Sequence, residues 1–256
     1  MDLNFKDHFI NQWERYFLKA DLPVTFYYTD EVTDKDLEES RNESRCLIGN
    51  LIRVRRGYTF VYTHSSPGCL GGKRYTGFSQ KLRKDFEYFL SCGIEGKLQG
   101  ERYKKSPGLV EAMLKTQPPF VAPGSYLVFK RWDKLSETDE PSAVIFFAKP
   151  DILSALFTLA NYDTADINGV ISPMGSGCTA IVQHALRELK SENPRCILGM
   201  FDISARPYVP ADTLTMAVPI NRFIKMVNNM DESFLNGGSW KSLVERTQSN
   251  LKIKEP

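Results

Sequence analysis

Phe5, Phe9, Trp13, Tyr16 and Phe17 recur at helical spacing, so residues 3–19 predict a helix whose single aromatic face packs on a core. Acidic residues mixed into its polar side argue against an anionic membrane surface as its partner. Pro23 to Thr29 is rich in β-branched and aromatic residues and reads as a strand. Residues 30–43 hold seven acidic residues, with only Val32 and Leu37 apolar, and predict a solvated loop or short helix. A helical pattern resumes over residues 79–92 with Leu82, Phe86, Phe89 and Leu90, and Gly93, Gly96 and Gly100 loosen the segment after it. Pro107-Gly108 opens a short helix through Met113-Leu114. The run from Gln117 to Gly124, with three prolines, is the clearest break and divides the chain into halves.

Beyond that break, Ser125 to Phe129 predicts a strand. Ala143 to Ala148 is continuously apolar, as a strand buried on both faces would be. Pro150 and Asp151 stand before a helix from Ile152 to Ala160, with Asp151 as its cap. Leu214 to Pro219 is a further strand, and Asn221 is placed to cap a helix through Met230. Trp240, Leu243 and Val244 give the tail, Ser239 to Leu251, an amphipathic helical pattern.

The two halves are related in order. A strand precedes a cysteine-led segment in each (Val24–Tyr28, Val144–Phe147), and a later strand comes after it (Tyr126–Phe129, Leu214–Val218). This predicts an α+β fold: two related β-α-β-type modules from an internal duplication, sharing a mixed sheet, with peripheral helices. The expectation is one globular domain over 1–256, pseudo-repeats at 20–135 and 140–230, and a helical tail at 231–256. Length and composition agree, since 256 residues with 42% hydrophobic and 25% charged are ordinary for a globular protein.

No stretch of about 18 uninterrupted apolar residues occurs, so no membrane span is expected. Met1 to His8 lacks an apolar signal core, which predicts a cytoplasmic location. Five cysteines, an odd number and without a C-x-x-C pair, predict reduced thiols rather than a disulfide framework or a zinc ribbon. A net charge of +2 is too small to imply a polyanion partner.

The candidate chemistry lies where the two halves match. Cys46 precedes Cys69 by 23 positions, and Cys178 precedes Asp202 by 24. A duplicated unit packed about a pseudo-two-fold axis brings matching positions to one place, so these four side chains predict a shared site. Gly175-Ser176-Gly177-Cys178 leads into a helical run from Thr179 to Lys190, and Cys46 begins the corresponding run. A helix amino terminus favours a thiolate, which suits a ligand or a nucleophile. In Pro67-Gly68-Cys69-Leu70-Gly71-Gly72-Lys73-Arg74 the glycines let backbone N–H groups approach a bound group while Lys73 and Arg74 add positive charge. The loop is not a Walker loop, because no Gly-Lys-Ser/Thr comes after a strand and opens a helix.

From Arg53 to Lys84 there are eight basic residues and no acidic one, which suits an anionic guest or a solvated face. A nucleic-acid surface is not favoured, since no binding motif accompanies the block. His64 is near enough in sequence to join the Cys69 loop, His184 points away from Cys178, and Cys92 and Cys196 read as packing residues. The bland alternative for the thiols is that they are small buried hydrophobes at helix starts.

The cysteine helix, Cys69-Leu70-Gly71-Gly72 with Tyr75 and Gly77, the run Val144–Phe147 with Pro150-Asp151, and Gly177-Cys178 together resemble the family catalogued as domain of unknown function 169, the uncharacterised ArCR proteins. The likeness covers roughly residues 20–230. It implies a soluble prokaryotic protein with no settled activity. Some members carry a further cysteine shortly before the arginine matching Arg206, where this chain has Asp202. A four-cysteine member resembles an iron–sulfur protein, and this chain offers three thiols and a carboxylate.

The residues support three functional readings. The first is a protein that holds a cofactor, an iron–sulfur cluster or an anionic small ligand between the repeats. It uses Cys46, Cys69, Gly71, Gly72, Lys73, Arg74, Cys178, Asp202 and Arg206, with Cys46, Cys69 and Cys178 as the metal-ligating set. The second is an enzyme with Cys178 as nucleophile. The third is a non-catalytic interaction module docking through Arg53, Arg55 and Arg56. Substrate, cofactor identity and oligomeric state are not readable from the residues.

Overall fold

Alternation along the strands sorts the apolar residues onto two sides of a single seven-stranded sheet, in the order β2-β3-β1-β4-β7-β6-β5. The computed structural model describes residues 1–17 and 20–249. The strands are β1 (Val24–Thr29), β2 (Phe60–Thr63), β3 (Tyr126–Arg131), β4 (Ala143–Ala148), β5 (Val170–Ile171), β6 (Cys196–Gly199) and β7 (Leu214–Pro219). β5 runs parallel to β6 and the other pairings are antiparallel, so the α+β class with a mixed sheet is observed.

Among the described residues the α-helices are α1 (Leu3–Phe17), α2 (Asp34–Glu39), α3 (Leu47–Arg55), α4 (Leu70–Tyr75), α5 (Phe86–Phe89), α6 (Pro107–Thr116), α7 (Pro150–Leu159), α8 (Ala185–Leu189), α9 (Ile220–Asn228) and α10 (Gly238–Ser249). A π-helical segment, Thr179–His184, leads into α8. Phe9, Trp13, Leu156 and Phe223, from α1, α7 and α9, pack with Val128, Val144, Phe146 and Val218 on one side of the sheet. Leu47, Ile48, Leu51 and Ile181, from α3 and the Cys178 helix, pack with Phe26, Phe129, Ile145 and Ala217 on the other. The continuous apolar run of β4 is buried at every residue because both sides are covered, as expected.

β1 and β4 pair antiparallel in the middle of the sheet, with Val24 opposite Ile145. Exchanging β1 with β4, β3 with β7 and β2 with β6 leaves the order of these six strands unchanged. The arrangement is compatible with two related halves; β5 and α1 lie outside it.

Three local expectations are corrected, and the short helix expected in the acidic segment is present. Helix over 79–92 is limited to α5, because Asp85 sits in the left-handed region at φ 57° and interrupts any longer helix. Asp151 does not cap α7: Pro150 takes the first helical position, where its missing N–H costs nothing, and the cap falls to Lys149. Asp151 pairs instead with Arg246. Asn221 does not cap α9, since β7 runs straight into the helix through Pro219. The acidic segment holds α2, capped by the Thr33 side chain on the Asp36 N–H, and buries Asp36 against Lys130 at 3.0 Å. The expected ends of the first helix, at residues 18–19, and of the tail, at residues 250–256, lie outside the described residues.

Candidate functional site

Four segments meet on the side of the sheet covered by α3 and the Cys178 helix. Cys46 is the extended residue that caps α3, and Cys69 plays the same part for α4. The Cys69 N–H donates to the Arg45 carbonyl at 2.9 Å, which holds the two caps side by side. The Gly72 N–H donates to Cys69 Sγ at 3.2 Å, as a side chain at a helix start is expected to accept. The Tyr62 hydroxyl reaches over this turn so closely that a Cβ on Gly68 would lie 2.2 Å from it, which is why the loop needs glycine there.

Cys178 sits differently from its counterpart. Ser176 is the cap, its Oγ accepting from the Thr179 N–H at 3.2 Å, and Cys178 lies inside the first turn. Asp202 closes the same end: Oδ2 accepts from the Gly177 N–H at 3.0 Å, while Oδ1 accepts from the Ser204 N–H at 2.9 Å and hydroxyl at 2.7 Å. A Cβ on Gly177 would lie 3.2 Å from both Ile48 Cγ1 and Ala205 Cβ, so the starts of the two cysteine helices abut through this glycine.

The surroundings of these groups shift their protonation. Burial pushes the Cys178 thiol well up, and charge on Cys69, Cys46 and Asp202 pushes it further. Burial also raises Cys46; the amides of Gly49 and Ile48 oppose it without hydrogen bonds of ordinary geometry, and Cys69 and Asp202 add to it. Tyr62 is raised by burial and then by all three cysteines, and Tyr75 by burial with smaller contributions from Cys178 and Asp202. The thiolate that a helix terminus was expected to favour is thus disfavoured at Cys178, because desolvation outweighs the helix end. Cys178 is 5% exposed, Cys46 is half-buried and Cys69 is open to solvent.

The cationic residues are committed elsewhere. Lys73 Nζ donates to the Thr63 and His64 carbonyls at 2.5 and 2.7 Å and lies 4.4 Å from the centre of the Tyr62 ring. Arg74 donates to the Gln80 carbonyl at 2.7 Å, and Arg206 to the carbonyls of Thr213, Ala211 and Pro210. Gly71 packs under the Tyr75 ring. In the basic block, Arg53 pairs with Glu43 and Arg55 with Asp21, each at 2.8 Å.

His64 lines a shallow depression of about 510 Å³ with Asp30 and Phe78. Cys196 is a packing residue against Met226, as expected. Cys92 is not; it is exposed, in a depression of about 570 Å³ lined by the glycine-containing loop after it. His184 is buried, which lowers it to about 4, so it is neutral at ordinary pH.

Among the described residues, no three His, Cys, Asp or Glu side chains are set closely enough to hold a single metal ion. Sequence reasoning missed Tyr62, although period-two alternation with Phe60 on β2 places it on the cysteine side. It also missed the π-helical turn after Cys178, for which the residues carry no signal.

A model of one family, domain of unknown function 169, described as uncharacterised ArCR, matches residues 20–229. No curated protein and no solved structure matches the chain. Among the described residues no helix is long and apolar enough to cross a membrane.

Proposed function

The chain belongs to the family of domain of unknown function 169, and from that premise we propose that it holds a cofactor between its two halves through Cys46, Cys69 and Cys178. The supporting observation is that packing brings together the separate segments that carry the thiols: the Cys69 N–H donates to the Arg45 carbonyl next to Cys46, and Gly177, next to Cys178, abuts Ile48 at the start of α3. The guest we propose is an iron–sulfur cluster, which is held by thiolates that separate segments can supply. An N–H group already faces one of the sulfurs, from Gly72 at Cys69, and such donors stabilise cluster thiolates.

The anionic-ligand version draws less support. Lys73, Arg74 and Arg206 each spend donors on backbone carbonyls rather than facing an open site. Asp202 is engaged in holding Gly177 and Ser204, so its part is to fix the helix start beside the sulfurs. Leu70, Phe201 and Ile203, next to Cys69 and Asp202, are exposed apolar side chains, and such exposure suits a guest with an apolar face.

Anaerobic reconstitution with iron and sulfide tests the proposal. The expected product absorbs in the visible range and retains iron and sulfide through gel filtration; serine at Cys46, Cys69 or Cys178 abolishes retention, and serine at Cys92 does not. A colourless, iron-free product removes the cluster version.

A further inference from the structure

The backbone hydrogen bond from Cys69 N to the Arg45 carbonyl, at 2.9 Å, has a geometric consequence. Standard bond lengths then place the Cα atoms of Cys46 and Cys69 within about 7 Å of each other, and disulfides span Cα separations of about 4.4–6.8 Å. Both residues are extended helix caps, so both side chains stand at helix starts that already touch. A Cβ on Gly72 would lie 3.4 Å from Cys69 Sγ and 3.9 Å from the Leu47 Cβ, so the start of α3 is packed against the Cys69 turn.

We propose that Cys46 and Cys69 are a reversible dithiol–disulfide pair oxidised by hydroperoxides. This inference does not rest on a bound cofactor. Exposure assigns the order of events: Cys69 is exposed and Cys46 is half-buried, so Cys69 meets the oxidant and Cys46 resolves the intermediate. The Cys69 sulfur, as thiolate, attacks one oxygen of hydrogen peroxide and breaks the O–O bond. The departing hydroxide takes up the proton lost by the thiol and becomes water, leaving Cys69 as a sulfenic acid. The Cys46 sulfur then attacks Cys69 Sγ, the S–O bond breaks, and the hydroxyl leaves as water with the Cys46 proton. Two electrons pass from the sulfur pair to the peroxide: two thiols and one hydrogen peroxide give one disulfide and two waters. An external thiol reverses the step by exchange. Cys178 is too enclosed to meet the oxidant and keeps its thiol.

Peroxide treatment of the whole purified chain, then alkylation in denaturant and non-reducing tryptic mapping, tests this directly. Cleavage after Arg45, Arg53, Arg56 and Lys73 separates the two cysteines, so the bond appears as one cross-linked species joining Cys46–Arg53 to Gly57–Lys73. Titratable thiols are expected to fall from the five of the sequence to three and to return on reduction. In Cys46→Ser, whose serine is a good helix cap, dimedone is expected to label Cys69, while Cys178→Ser is expected to form the bond as the parent does. A link to Cys178 or Cys92 instead, or Cys69 advancing to sulfinic acid in the parent with no cross-link, overturns the assignment. Failure to bind iron and sulfide leaves this result untouched, so the two proposals fail separately.

Discussion

Two clusters of titratable side chains lie inside this protein, and they are built on opposite terms. On the α1 side, Lys130 lies 3.0 Å from Asp36 and 3.1 Å from Asp139, all three buried, with the Tyr27 hydroxyl and the Ser136 N–H also on Asp139. On the other side, Cys46, Cys69 and Cys178 come from segments packed against one another. The first cluster is charged and closed: each charge faces an opposite charge, and the group ties α2 and the loop after β3 to the sheet. The second is built of thiols, is partly open and lies beside exposed apolar residues. A satisfied network explains itself as structure, whereas a group of thiols whose one hydrogen bond among the described residues is the Gly72 N–H on Cys69 leaves reactive sulfur for a guest or a reaction.

The largest expected effect strikes the closed cluster. Lys130→Met leaves two buried carboxylates facing one another, and costs about 3–5 kcal/mol in denaturant unfolding. A loss under about 1 kcal/mol would show that the network is solvated and that the contrast fails. Next in size is Gly177→Val, which forces a side chain between Ile48 and Ala205 where the two cysteine helices meet; overpacking of this kind costs about 1–3 kcal/mol. The same substitution should also impair iron and sulfide retention, because it parts Cys46 from Cys178. Asp202→Ala removes the acceptor for the Gly177 N–H and should cost about 1 kcal/mol, while Asp202→Asn restores most of it. If the asparagine variant folds normally yet retains no iron, Asp202 is a ligand rather than a cap.

The smallest effect at neutral pH is one of opposite pH responses. For Asp139, burial pushes the carboxyl up, but the Ser136 amide, the Tyr27 hydroxyl and Lys130 together leave it below its ordinary 3.8. Its folded value is depressed, so its stabilisation is present above about pH 4 and is lost as pH falls through the folded value. For Cys178 the folded value is raised above 9.0, so its stabilisation is present below that and is lost as pH rises, because the unfolded chain releases the proton first. Cys196, raised by burial to about 12, contributes in the same direction. Urea unfolding of Cys178→Ala beside the parent should give a weaker decline above pH 9 and an unchanged decline below pH 4. Equal slopes at alkaline pH would mean that Cys178 titrates normally in the folded chain.

Much of the scaffold was legible in the residues alone. Phe9 and Trp13 marked the buried face of α1, the unbroken apolar run of β4 marked a strand covered on both sides, and the order of strands around each cysteine segment anticipated a mixed sheet. What failed was local: residue 85 broke a helix that Leu82 and Phe86 suggested, and neither Asp151 nor Asn221 became a cap, because the prolines beside them fixed where α7 and α9 begin. In the candidate site, matching positions pointed to Cys46, Cys69, Cys178 and Asp202; the fold sets the Cys69 N–H on the Arg45 carbonyl, Asp202 on the Gly177 N–H and Gly177 against Ile48. The roles given to Lys73, Arg74 and Arg206 were not legible, since a cation in a loop is drawn equally by a guest and by a carbonyl, and here the carbonyls are nearer.

By itself the sequence determined which residues are apolar, at what period, and which reactive groups the chain possesses. Those are properties of side chains and their spacing, and they suffice for strands, helices and a two-sided core. Only the tertiary structure decided that Cys178 is buried, that Cys69 is open beside Cys46, and that Asp202 is tied to Gly177. Burial and proximity come from segments distant in the chain packing together, and they control both the protonation of a thiol and its access to solvent.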